Sequence, residues 1–97
     1  MSNIIKKNKC AFLDRDGVIN VDKGYISKIS DFKINPGLGK AINLLNKNNF
    51  LVIIVTNQSG IGRGLISLKQ LKTIHNYLKR KIKKYNAKID DIYFCPY

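Results

Sequence analysis

Phe12-Leu13-Asp14-Arg15-Asp16-Gly17-Val18-Ile19-Asn20 is the stretch that decides the fold. The apolar run Ala11-Phe12-Leu13 reads as a buried strand. It ends in two carboxylates set two residues apart, and a glycine follows at once. A parallel strand presents such residues at its carboxyl end, where open α/β sheets bind ligands. Along an extended chain, positions two apart share a face. Asp14 and Asp16 are therefore placed to converge on one cation or one phosphate. Gly17 permits a sharp departure from the strand. Taken alone, the tetrapeptide also fits a strand end followed by an ordinary Asp-Gly turn.

Working outward, residues 15–34 carry Gly17, Gly24 and several Ser and Asp, with Ile26, Ile29 and Phe32 spaced among them. This predicts a loop or small flap. Asn35-Pro36 predicts a helix start, with Asn as cap and Pro at the first helical position. Leu38, Ala41, Ile42 and Leu45 form its apolar stripe, and Asn48-Asn49 ends it. Phe50–Val55 is six apolar residues in a row and predicts a strand buried on both faces. Thr56–Gly64 is a Gly-rich polar loop. Ser67-Leu68-Lys69-Gln70 has the spacing of a capping box. The helix it opens places Leu68, Leu71, Ile74, Leu78, Ile82 and Tyr85 on one side. Lys69, Lys72, Lys79, Lys83 and Lys84 fall on the wet side, and His75 is expected at its surface or boundary. Ile92–Cys95 is a third strand. Strand, helix, strand, helix, strand indicates a parallel sheet with helical crossovers.

Ninety-seven residues allow one domain, spanning 1–97. No apolar stretch is long enough to span a bilayer. Met1–Lys9 is polar and basic with no apolar signal core behind it. Cys10 and Cys95 are too few for a disulfide framework, so a cytoplasmic, reduced protein is expected. Lys and Arg number 18 against 6 acidic residues, a formal net charge of +12. Such an excess can mark a nucleic-acid partner. Here the cations are scattered through a chain crowded with Lys, Asn and Ile, so nucleic acid is not the expected partner. A positive field also attracts phosphorylated metabolites.

FLDRDGVIN resembles the first motif of the haloacid dehalogenase-like phosphohydrolases, in the branch of heptose-bisphosphate and histidinol-phosphate phosphatases. The resemblance continues through Val21-Asp22-Lys23-Gly24-Tyr25, Val55-Thr56-Asn57-Gln58-Ser59-Gly60-Ile61-Gly62-Arg63-Gly64 and Ile92-Tyr93-Phe94-Cys95-Pro96. It implies a three-layer, Rossmann-like parallel α/β sheet, here truncated after the third strand. It implies an Mg2+-dependent phosphatase working through an aspartyl-phosphate. The implied substrate is a small phosphorylated sugar, D-glycero-D-manno-heptose 1,7-bisphosphate. Histidinol phosphate, a nucleic-acid 3′ end or a non-catalytic remnant are the alternatives.

By the same resemblance, Asp14 is the nucleophile and Asp16 the general acid and base. Both would ligate the metal, Asp16 through its backbone carbonyl. Thr56 would hold the transferring phosphoryl group, and backbone N–H groups at Gly17 would face its oxygens. Asn57, Gln58 and Ser59 would line the pocket. Asp22, Lys23, Gly24 and Tyr25 match a substrate-contacting flap, although a solvated loop is an equal alternative for each. Arg63 is left between a second phosphate and the helix start. Cys95 matches the first ligand of a zinc loop, but Tyr97 stands where a histidine would be, so Zn2+ is not expected. The later lysine and acidic residue of the family have no counterpart here, and Asp90 and Asp91 do not replace them. Turnover by the 97-residue chain is expected to be weak or absent, and the chain to be a monomer.

Overall fold

The computed structural model describes residues 9–96. Residues 1–8, and Tyr97 with its part in the zinc-loop expectation, lie outside the described residues. Three strands, β1 (Lys9–Asp14), β2 (Phe50–Asn57) and β3 (Asp91–Cys95), form one sheet in the order β1-β2-β3. Both pairings are parallel, with Ala11 beside Val52, Leu13 beside Ile54, and Ile54 beside Ile92. α1 (Leu38–Lys47) makes the first crossover. The second contains a single helical turn, α2 (Ser59–Gly62), and the long α3 (Leu68–Ile82). The parallel α/β architecture expected from the sequence is the one that forms.

One core cluster joins Val52 and Ile54 of β2 to Leu38 and Ile42 of α1 and to Ile74, Leu78 and Ile82 of α3. Both long helices therefore cover the same face of the sheet. The reason is topological. Strands laid down in one direction, each joined by a right-handed crossover, receive every helix on one side. The opposite face is bare among the described residues: Phe12 is 66% exposed, Tyr93 58%, Val55 39% and Leu51 38%. The expectation that Phe50–Val55 is buried on both faces is thus corrected. Its β-branched run alternates, with Val52, Ile54 and Thr56 in and Leu51 and Val55 out.

Two boundaries also shift, and one stripe residue turns out exposed. Asn35-Pro36 does not open α1. Gly37 is the cap, at φ +82°, a left-handed conformation that suits glycine. The Asn35 amide instead donates to the carbonyls of Gly17 (3.3 Å) and Val18 (2.7 Å). α3 stops at Ile82, and Tyr85 sits in a 3-10 turn closed by Asn86 at φ +56°. Leu68, assigned to the apolar stripe, is 59% exposed. The capping box forms as expected: the Ser67 hydroxyl accepts from the Gln70 N–H at 3.0 Å, and the Gln70 side chain accepts from the Ser67 N–H at 2.8 Å.

The 15–34 segment is not a free flap. Ile19, Ile26 and Phe32 are buried in the same core, and Asn20 bridges to Asp16 and Ile34. This packing holds the segment over the carboxyl ends of β1 and β2.

Candidate active site

Asp14 is the last residue of β1, and Val55 stands beside it in register. The chain then turns, with Ile19 N–H (2.8 Å) and Asn20 N–H (3.1 Å) both donating to the Arg15 carbonyl. Alternation of side chains along the strand end separates the three charged residues. Arg15 points into the interior and is 0% exposed. Asp14 and Asp16 face the other way and line one cleft of about 290 Å3 with Asp22, Gly24, Tyr25, Asn57 and Gln58.

Asp16 is held by both oxygens. Oδ1 accepts from Arg15 Nη2 at 2.8 Å, Arg15 Nε at 3.1 Å and Asn20 Nδ2 at 3.0 Å. Oδ2 accepts from Gln58 Nε2 at 3.1 Å and from the Thr56 hydroxyl at 3.5 Å. Gln58 Nε2 also donates to Thr56 Oγ1 at 2.8 Å. Thr56 and Gln58 are buried, and both sit at the end of β2, one strand over from β1. The parallel register is what brings residues 16, 56 and 58 together.

Asp14 contrasts with its neighbour. No described residue donates a hydrogen bond to its carboxylate, which is exposed at the mouth of the cleft. Three carboxylates and no cation line that cleft. A phosphate entering there would be repelled unless a cation accompanied it. The oxygens present are of the hard type that suits Mg2+. No group of three or more His, Cys, Asp or Glu able to enclose a metal occurs among the described residues. Mg2+ does not require one, because it binds through one or two carboxylates together with waters and phosphate oxygens. The donor set fits it.

The other sequence-derived candidates are distributed unevenly. Asp22 accepts from the Gly24 N–H at 3.0 Å in a local turn, and both border the cleft. Tyr25 also borders it, its hydroxyl 3.5 Å from Ser59 Oγ. Asn57 is on the cleft wall, whereas Lys23 is exposed and outside the cleft lining. The Gly17 N–H is not offered to a ligand: it donates to the Asn20 carbonyl at 2.7 Å. Arg63 caps the end of α2 and is exposed. Asp90 is structural, its carboxylate accepting from the Val52 N–H at 2.8 Å. Cys95 closes β3 opposite Asn57.

Two residues were missed from sequence. His75 is not a surface residue. It is 8% exposed, and its Nε2 lies 3.2 Å from Arg15 Nη1. Burial, then the charges of Arg15 and Lys79, push its pKa down to about 4, against a weaker opposing pull from Asp16. Arg15 itself is fully buried, with its guanidinium 5.5 Å from the Phe32 ring centre. The available signals were the arginine wedged between two carboxylates and a histidine one residue from Ile74 on an apolar stripe.

A parallel α/β sheet with a paired carboxylate motif at the end of β1 and a threonine at the end of β2 defines a haloacid dehalogenase-like phosphatase domain. Sequence and structure comparisons agree. The chain is 41% identical over 90 residues to D-glycero-beta-D-manno-heptose-1,7-bisphosphate 7-phosphatase of Haemophilus ducreyi, covering 92% of this chain and 50% of that protein. It is 43% identical over 91 residues to D-glycero-alpha-D-manno-heptose-1,7-bisphosphate 7-phosphatase of Campylobacter jejuni, covering 94% of this chain and 53% of that protein. The crystal structure of D,D-heptose 1,7-bisphosphate phosphatase from B. bronchiseptica, complexed with magnesium and phosphate, superposes with a TM-score of 0.86 at 34% identity, over 92% of this chain and 50% of that one. The corresponding enzyme from Burkholderia thailandensis gives a TM-score of 0.71 at 39% identity. No protein-family model matches the sequence. The chain belongs to the haloacid dehalogenase-like phosphatases, in the branch of the heptose-bisphosphate phosphatases. It spans about half the length of the relatives it matches.

Proposed function

We propose that this protein is a phosphatase acting on a heptose 1,7-bisphosphate. The observation that carries the proposal is the contrast between its two carboxylates, which share one cleft but differ in their bonding. Asp14 is unencumbered and free to attack phosphorus, forming an aspartyl-phosphate as the sugar oxygen leaves. Asp16 is anchored through Oδ1 and lines the same cleft, suited to passing a proton to the leaving oxygen and then taking one from the hydrolytic water. Thr56 and Gln58 position its Oδ2, and Thr56 adds a hydroxyl near the transferring group. Asp14 and the backbone carbonyl of Asp16 would hold Mg2+. When bound, it offsets repulsion between carboxylates and phosphate. Asp22, Gly24, Tyr25 and Asn57 form the wall against which the sugar would lie. Relatives named for both anomers match equally well, so the proposal is for the bisphosphate irrespective of anomer.

The test is phosphate release from D-glycero-D-manno-heptose 1,7-bisphosphate with Mg2+, in the wild type and in Asp14→Asn. Slow Mg2+-dependent release by the wild type, lost in the variant, is expected. Equal release by both overturns the proposal. So does release by neither when Mg2+-dependent phosphate binding is also missing.

A further inference from the structure

Each of the three nitrogens of the Arg15 guanidinium makes a hydrogen bond. Nε and Nη2 both reach Asp16 Oδ1, at 3.1 and 2.8 Å, and Nη1 reaches His75 Nε2 at 3.2 Å. Phe32 lies against its face. A guanidinium has donors only, so His75 Nε2 must be the acceptor and its ring proton must sit on Nδ1. The imidazole is delivered by α3, sixty residues along the chain from the carboxylate motif. A fully buried cation that lost one partner would turn or withdraw. Its grip on Oδ1 would loosen, and the Asp16 carboxylate could then rotate. The orientation of the Asp16 carboxylate is thus set in part from α3, alongside Asn20 and Gln58.

We propose that His75 is a positioning residue for Asp16: it fixes the Arg15 guanidinium, which in turn holds Oδ1 and so orients the carboxylate at the cleft. This rests on the acid–base role proposed for Asp16, but its geometry is testable without turnover.

In the wild-type chain, nitrogen-15 spectra at neutral pH should show His75 with Nε2 unprotonated and Nδ1 protonated. A proton on Nε2 overturns the proposal, with no variant needed. The Arg15 Nε–H signal and the Asp16 carboxylate carbon signal should stay in place in His75→Gln, whose amide oxygen can accept. Both should be lost or displaced in His75→Leu. Signals unchanged in His75→Leu, or displaced equally in both variants, overturn it. Phosphate release should fall in kcat with KM unchanged in His75→Leu, and recover in His75→Gln. Loss of equal size in both also overturns it. Intact signals in a wild type that shows neither phosphate release nor Mg2+-dependent phosphate binding would sink the phosphatase proposal and leave the positioning geometry standing.

Discussion

Lowering the pH from 7 to 5 tests the buried imidazole in a second way, through stability. His75 has a native pKa of about 4, against 6.5 for the free side chain. The causes are burial first, then the Arg15 and Lys79 charges. Because the native pKa is the lower one, the unfolded chain binds the proton more readily. Stability is therefore undiminished above about pH 6.5 and falls as the pH drops toward 4. Each unit of separation is worth about 1.4 kcal/mol. The loss attributable to this one residue is then about 2 kcal/mol at pH 5 relative to pH 7, and about 3 kcal/mol when complete below pH 4. His75→Gln removes the titration while keeping an acceptor for Arg15. Urea unfolding of both proteins at the two pH values measures the difference, since carboxylates common to both cancel. The wild type should lose about 2 kcal/mol more than the variant. Equal losses would show that the imidazole is not held neutral in the interior, and the argument from its burial would fail.

Gly39→Ala should destabilise despite the better helix former, because a Cβ there would run into the Tyr85 ring. The packing penalty of about 1–3 kcal/mol outweighs a propensity gain of about 1 kcal/mol, and thermal unfolding reads the net sign. Ser67→Ala removes the cap of α3 and should cost about 1 kcal/mol, measured by the shift in urea midpoint at unchanged slope. The apolar sheet face left exposed among the described residues should bind the dye ANS in the native state. Phe12→Gln combined with Tyr93→Gln should cut that fluorescence sharply without lowering the helical signal in circular dichroism; undiminished fluorescence would place the dye elsewhere.

The order of elements was legible from local chemistry. The apolar run before Asp14, the β-branched run Phe50–Val55 and the Ser67–Gln70 spacing each act within a few residues, so the chain announces them directly. So was the placing of Asp14, Asp16 and Thr56 at strand ends, because parallel strands share a direction and their carboxyl ends meet. The Asn35 cap failed because its amide found carbonyls in the Gly17–Val18 turn, seventeen and eighteen positions away, which no local rule ranks against a helix N–H.

By itself, then, the amino-acid order determined a parallel α/β domain with carboxylates at the tip of its first strand. Only the tertiary structure decided that the outer sheet face is bare among the described residues, and that Arg15 is buried between Asp16 and His75. The first follows from crossover hand, which acts on whole elements and leaves no trace in residue spacing. The second follows because a guanidinium taken out of water needs a partner for each of its nitrogens, and the helix that completes the set is placed by core packing rather than by anything near Arg15 in the chain.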